Sequence, residues 1–266
     1  MDYLLVCTTA LIVAALTLFS GFGLGTLLMP VFAIFFPVEL AIAATAAVHL
    51  ANNVFKLGLV GRHANWGIVA RFALPAAVAA FGGAWLLTYI GRLPGLATGS
   101  LTGVIVQIDP VKLAIGALII IFAFFDLLPP LKRIGLSQKY LPVGGALSGF
   151  FGGLSGHQGA LRSAFLIRLG LDRHGFIGTT VICAVMVDVS RLLVYGLALL
   201  GPEQAPTGTG DDHQHLLRLV AAAAGAAFVG SFVGTRLIQK VTIQLIQRLV
   251  AAMLIALGAG LILGVV

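Results

Sequence analysis

Two clusters of small residues hold the chemistry this chain can offer. Ser20-Gly21-Phe22-Gly23-Leu24-Gly25 and Gly152-Gly153-Leu154-Ser155-Gly156-His157-Gln158-Gly159 each interrupt a long apolar run. Glycine carries the largest helix penalty after proline, so clusters this dense break a helix. Irregular backbone at membrane depth is tolerated only inside protein or along a wet cavity, which puts both breaks at a pocket. A helix that restarts there turns unpaired N–H groups and a positive dipole end toward the break, worth about 0.3–2 kcal/mol toward an anion. The restarts fall near Gly25-Thr26 and Gly159-Ala160, with Thr26, Ser155, His157 and Gln158 as side-chain donors. Close helix packing is the competing use of such glycines, and Gly230-x3-Gly234 and Gly260-x3-Gly264 suit it better.

Three cations fall inside apolar stretches: Lys56, Arg162 and Arg191. Each costs about 2.5–3.5 kcal/mol at the centre of a span, so each is paired, snorkelling or functional. Arg162 follows the second break by three residues, where its fork can grip an oxyanion as it grips carboxylate or phosphate. Asp188, one helical turn before Arg191, is the carboxylate well inside a span; Asp126 lies near the end of its own. Asp188 neutralises Arg191 or carries a coupling proton, and His157 and His49 are rival proton carriers because imidazole titrates near neutrality. Thr45, Asn52, Asn53, Thr179 and Thr180 follow the breaks and line the pocket or bond between helices. Asp211, Asp212, His213 and His215 resemble a metal cluster but sit in a polar stretch where solvated charge is the default, so no metal is expected. No nucleophile triad, paired-carboxylate site or H-E-x-x-H is present, which disfavours an enzyme, and no cofactor motif stands in its required context.

The elements that position these residues follow from composition. Of 266 residues, 59% are hydrophobic and only 9% charged, with 16 Lys+Arg against 9 Asp+Glu; mean hydropathy is +1.08. A soluble domain needs about a quarter charged residues, so this is an integral membrane protein in a lipid bilayer. The net charge of +7 is scattered between apolar runs instead of forming one basic face, which excludes a nucleic-acid module. Cys7 and Cys183 are far apart with no C-x-x-C, so neither a disulfide framework nor a zinc knuckle is available. The N-terminal run lacks a basic leader and exceeds signal-peptide length, so it is read as part of the mature chain.

Apolar segments run at roughly 3–36, 40–60, 66–90, 112–129, 141–167, 176–200, 216–236 and 245–266. If the first and fifth enter and leave on one face, Arg62, Arg71, Lys132, Arg133, Lys139, Arg168, Arg173, Arg236, Lys240 and Arg248 flank one side, against Arg92, Lys112 and Arg218 on the other. Eight simple crossings give no such bias, so the positive-inside rule favours the folded-back arrangement, with both termini and the loop bearing Glu203, Asp211 and Asp212 outside. Thr45-x7-Asn53-x2-Lys56-x4-Gly61 matches Thr180-x7-Asp188-x2-Arg191-x4-Gly196 at a constant offset, and Ala80-Phe81-Gly82-Gly83 echoes Ala227-Phe228-Val229-Gly230. The expected fold is therefore all-α, with two inverted repeats. Each has a glycine-broken helix pair, re-entrant or doubly crossing, followed by three transmembrane helices. The first repeat covers 1–130 and the second 143–266, with a cytoplasmic linker at 131–142; the segments 91–110 and 201–215 read as loops. Small-residue faces leave a homodimer open.

GFGLGTLLMP, AATAAVHLANNVFKLGLVG, GALSGFFGGLSGHQGALRSAFL and TTVICAVMVDVSRLLVYG, in this order and duplicated between the halves, resemble the TauE/SafE permeases. The resemblance extends along nearly the whole chain and implies transport of a small sulfur-containing anion, such as sulfite, thiosulfate or an organosulfonate, driven by an ion gradient. The expectation is a bacterial inner-membrane secondary transporter, an exporter coupled to protons. The resemblance carries no residue set; from the residues themselves the substrate site is expected at Gly25, Thr26, Thr45, Asn53, Lys56, Ser155, His157, Gln158, Gly159, Arg162, Thr180 and Arg191, and the coupling at Asp188, His157 or His49. A passive anion channel and a thiol-based electron carrier are the alternatives.

Overall fold

The computed structural model describes residues 1–17, 23–95, 97–101, 104–127, 138–167, 169–199, 210–237 and 243–264. In chain order these form α1 (Asp2–Thr17), α2 (Leu24–Ala33), α3 (Val38–Val60), α4 (Trp66–Ile90), strands β1 (Ala97–Leu101) and β2 (Val104–Ile108), and α5 (Pro110–Leu127). There follow α6 (Leu141–Ser155), α7 (Gln158–Leu166), α8 (Arg173–Leu199), α9 (Gly210–Leu237) and α10 (Ile243–Ile262). Each half thus runs through a broken helix pair, two long helices and a final helix.

Among the described residues, four stretches are long and apolar enough to cross a membrane: Val38–His63, Trp66–Ile90, Arg173–Ala198 and Gln214–Gly234. At 1.5 Å per residue, the 10 residues of α2 and 9 of α7 span about 15 Å each, half a bilayer core of about 30 Å. The outer faces are apolar: Trp66, Val78, Trp85 and Leu197 are each more than 60% exposed, while Lys56, Arg162, Asp188 and Arg191 are buried. That is the inverse of a soluble protein, and it suits a lipid-facing shell around a polar centre.

Small residues set the packing. α6 lies against α4 with Gly145, Gly149 and Gly153 on the backbones of Phe72, Ala76 and Ala80, where an added Cβ would collide with the carbonyl oxygens. α9 lies against α1 in the same manner, Gly230 on Leu11 and Gly234 on Ala15, while α5 meets α10 at Gly116 and Gly258. Backbones this close gain dispersion contacts that larger side chains would forbid. α3 packs on α8 at the centre. The turn between α3 and α4 is tied to α8: Asn65 caps α4 by accepting from the Ile68 N–H at 3.1 Å, and its own N–H donates to Thr179 Oγ1 at 2.9 Å.

Two segments differ from the loop expectation. Within 91–110, β1 and β2 pair antiparallel from Ala97 opposite Ile108 to Leu101 opposite Val104. The run Val104-Ile105-Val106-Gln107-Ile108 is rich in β-branched residues, which favour a strand, and its apolar character does not require lipid. Within 201–215, α9 already begins at Gly210, because a helix can continue beyond the point where apolar patterning stops; residues 201–209 lie outside the described residues. The side chains of Asp211, Asp212 and His213 lie outside the described residues, and that of His215 is described. His215 Nε2 lies 2.6 Å from Asp2 Oδ2, tying the start of α9 to the start of α1.

Candidate anion site at the two helix breaks

The second break is fully described. α6 ends at Ser155, Gly156 takes the left-handed conformation at φ 82° while donating its N–H to the Gly152 carbonyl at 3.0 Å, and α7 begins at Gln158. Only glycine enters that conformation without strain, so Gly156 is where the helix breaks. At the first break, Ser20, Gly21 and Phe22 lie outside the described residues; Gly23 has φ 125° and α2 begins at Leu24. Both restarts fall within two residues of the positions expected from the glycine spacing. Neither α2 nor α7 has a side-chain cap, so first-turn N–H groups are left for another acceptor.

The breaks come together. A Cβ at Gly25 would stand 3.6 Å from the Gly156 carbonyl oxygen and 3.8 Å from His49 Cδ2, in ordinary contact with both. Gly25, on the first turn of α2, therefore faces the end of α6 and the middle of α3. Thr26 and Gly159 are buried beside the two restarts. His157 stacks on Phe122 with ring centroids 5.4 Å apart, and its Nδ1 lies 3.0 Å from the Ser155 carbonyl. Its Nε2 is buried without a hydrogen-bond partner, as are the hydroxyls of Thr45 and Thr180. Buried polar atoms are rarely left unpaired; here one lies at the second break and two lie within α3 and α8, the long helices that follow the breaks.

Asp188 is the hub of the polar centre. Its Oδ1 accepts from Arg191 Nε at 3.1 Å, Arg191 Nη2 at 2.7 Å and Gln158 Nε2 at 2.9 Å. Its Oδ2 lies 2.6 Å from His49 Nδ1 and accepts from Asn53 Nδ2 at 3.3 Å. One carboxylate thereby joins α3, α7 and α8. Arg191 also donates to the Gly152 carbonyl at 3.3 Å, and Arg162 Nη1 donates to Gln158 Oε1 at 2.8 Å. Arg162 is within electrostatic reach of Lys56, Asp188 and Arg191. Such a network is strong when every member is satisfied, and removal of one member strands the others.

Lys56 is separate from this hub. With the Asn52 amide oriented to satisfy its neighbours, Asn52 accepts from Lys56 Nζ at 3.2 Å and donates to Ser231 Oγ at 2.8 Å and the Ala227 carbonyl at 3.2 Å. Ser231 on α9 carried no signal in the sequence beyond its polarity within an apolar span. Tyr195, one turn beyond Arg191, donates its hydroxyl to the Gly153 carbonyl, and Ser148 donates to the Gln158 carbonyl at 2.8 Å. The helical offset from Arg191 could have pointed to Tyr195. Cys7 and Cys183 are free thiols on α1 and α8.

No curated protein and no solved structure matches this chain. The model of the sulfite exporter TauE/SafE family matches residues 6–261, nearly the whole chain. With its apolar helices and buried polar centre, the chain belongs to the TauE/SafE family of multi-pass membrane transporters and is not an enzyme.

Proposed function

We propose that the protein is a proton-coupled secondary carrier that exports a small sulfur-containing anion, such as sulfite, thiosulfate or an organosulfonate, across the bacterial inner membrane. One observation carries this reading. Two uncapped helix starts are brought together at buried glycine, with unpartnered polar atoms of Thr45, Thr180 and His157 on the segments around them. Amide dipoles and the two threonine hydroxyls are donors to an anion, whereas neutral His157, whose Nδ1 proton goes to the Ser155 carbonyl, offers Nε2 as an acceptor for a proton. Gly25, Thr26, Ser155, Gln158 and Gly159 frame the site, and Arg162 approaches it from α7.

The packing favours an inverted repeat. Exchanging α1–α5 with α6–α10 turns the α1–α9 contact into the α6–α4 contact and leaves α3–α8 and α5–α10 unchanged. Paired repeats about an axis in the membrane plane provide alternating access by rocking one half against the other. Both chain ends then lie outside, and the basic flanks face the cytoplasm. The His49–Asp188 pair, 2.6 Å apart between α3 and α8, is the coupling proton's station, with His157 as its rival.

The test is transport by purified protein in vesicles loaded with labelled sulfite, with and without an imposed pH gradient. Saturable flux driven uphill by the gradient is expected. Asp188→Asn should abolish uphill movement while leaving exchange of labelled for unlabelled substrate. Gradient-independent, unsaturable flux would identify a passive channel, and intact uphill movement in Asp188→Asn would remove this pair from the coupling.

A further inference from the structure

The carrier reading leaves the charge of the substrate open, and the surroundings of Lys56 bear on it. Lys56 and Arg191 occupy matching places in the Thr-x7-Asn/Asp-x2-Lys/Arg pattern of α3 and α8. On α8 the residue three before the cation is Asp188, which accepts from the Arg191 guanidinium at 3.1 and 2.7 Å. On α3 it is Asn53, a neutral amide whose nitrogen is turned to His49 and Asp188. The cation on α8 therefore has its counter-charge within the protein. The cation on α3 does not: Lys56 is only 6% exposed, and among the described residues its ammonium has the Asn52 oxygen at 3.2 Å and no carboxylate in ion-pair contact. An ammonium taken out of water costs several kcal/mol, which a single amide oxygen does not offset.

The direction of the side chain matters as much as its charge. Helical side chains lean toward the helix N-terminus, and Lys56 follows this by reaching back to Asn52. That brings Nζ one turn nearer His49, whose ring touches the break at Gly25. Asn52 is anchored in turn by Ser231 and the Ala227 carbonyl of α9, so the ammonium is held in place, not left to snorkel to a membrane face.

We propose that Lys56 receives a second negative charge of the substrate, so that the carrier selects small dianions over monoanions of the same shape. This rests on the anion-carrier reading above and deepens it. One anionic group lies against the amide ends of the breaks, and the other replaces the counter-ion that Asp188 supplies to Arg191.

Sulfoacetate and its carboxamide, sulfoacetamide, differ in charge but hardly in size, so they isolate this effect. Their kcat/KM values are compared in vesicles of the full-length protein. Wild type should favour the dianion at least about tenfold, equivalent to about 1.4 kcal/mol. Lys56→Gln should shrink that ratio at least about tenfold, and Lys56→Arg should keep most of it, because a second charge at this place needs only a cation to meet it. Lys56→Met gives the same reading if the glutamine variant fails to reconstitute. Equal wild-type rates for the two compounds, or an unchanged ratio in both neutral variants, would overturn the proposal. Vesicles that move neither compound nor sulfite would instead remove the carrier reading itself, and this proposal with it.

Discussion

The polar faces of α3 and α8 carry the same pattern of residue types and have opposite electrostatic states. On α8, Asp188 and Arg191 form a closed pair into which Gln158 donates. On α3, Asn53 and Lys56 occupy the corresponding places, the amide spent on the hub of the other half and the ammonium left with an amide oxygen. A carboxylate exchanged for a carboxamide separates them. If the two halves are repeats as proposed, one of them is assigned to holding the halves together and the other to meeting a ligand. The same backbone pattern serves both, because the division lies in charge and not in fold.

This asymmetry should be sharpest in stability. Asp188→Ala strands Arg191, His49, Gln158 and Asn53 at once, and loss of one partner from a buried ionic network costs about 3–5 kcal/mol. Asn53→Ala removes one neutral donor, worth about 1 kcal/mol. Thermal unfolding in detergent should show a large fall for the first and a small one for the second. Equal falls would mean that the two faces share the work and that the hub is not centred on Asp188.

The halves should agree, by contrast, where they pack. Gly149 on α6 and Gly230 on α9 each leave no room for a Cβ against a carbonyl of the facing helix, at Ala76 and Leu11. Alanine at either place forces the helices apart, at about 1–3 kcal/mol each. Gly196 has nothing within 4 Å of where its Cβ would stand, so Gly196→Ala should be neutral or stabilising by up to about 1 kcal/mol. If Gly149→Ala and Gly230→Ala differ severalfold in the same melts, the two interfaces are not equivalent.

Much of this was legible in the sequence, for an identifiable reason. Lipid rewards only apolar surface, so hydrophobic runs mark spans directly, and the apolar run 66–90 coincides with α4, Trp66–Ile90. The breaks were legible because glycine's conformational freedom is local: Gly23 and Gly156 both take positive φ within the expected clusters. The β1–β2 ribbon and the early start of α9 were not legible, since neither depends on contact with lipid. In the site, the Asp188–Arg191 pair follows from helical spacing alone. The approach of His49 to Asp188 spans 139 residues of chain, and that of Ser231 to Asn52 spans 179, distances at which helical periodicity carries no information. The residues were therefore nameable but their partners were not, and Lys56 differs from Arg191 in its partners.

The smallest expected effect tests whether the two faces meet on one ligand. Thr45 and Thr180 stand at matching places, and both hydroxyls are buried with no partner. A hydroxyl that bonds nothing in the folded protein contributes no hydrogen bond to stability, so Thr45→Val and Thr180→Val should melt at or slightly above the wild-type temperature. If these hydroxyls are held for the substrate, each valine removes one donor from the bound anion, worth about 0.5–1.5 kcal/mol, or about two- to thirteenfold in affinity. Substrate-induced thermal stabilisation measures both quantities in one series, since the gain on adding ligand scales with its affinity. A ligand bridging both faces requires similar losses from the two variants and a larger loss from the double variant. Loss from Thr180→Val alone would confine the ligand to the α8 side, away from Lys56. Loss from Thr45→Val alone would place it beside the open cation, with Asp188 and Arg191 left as structure.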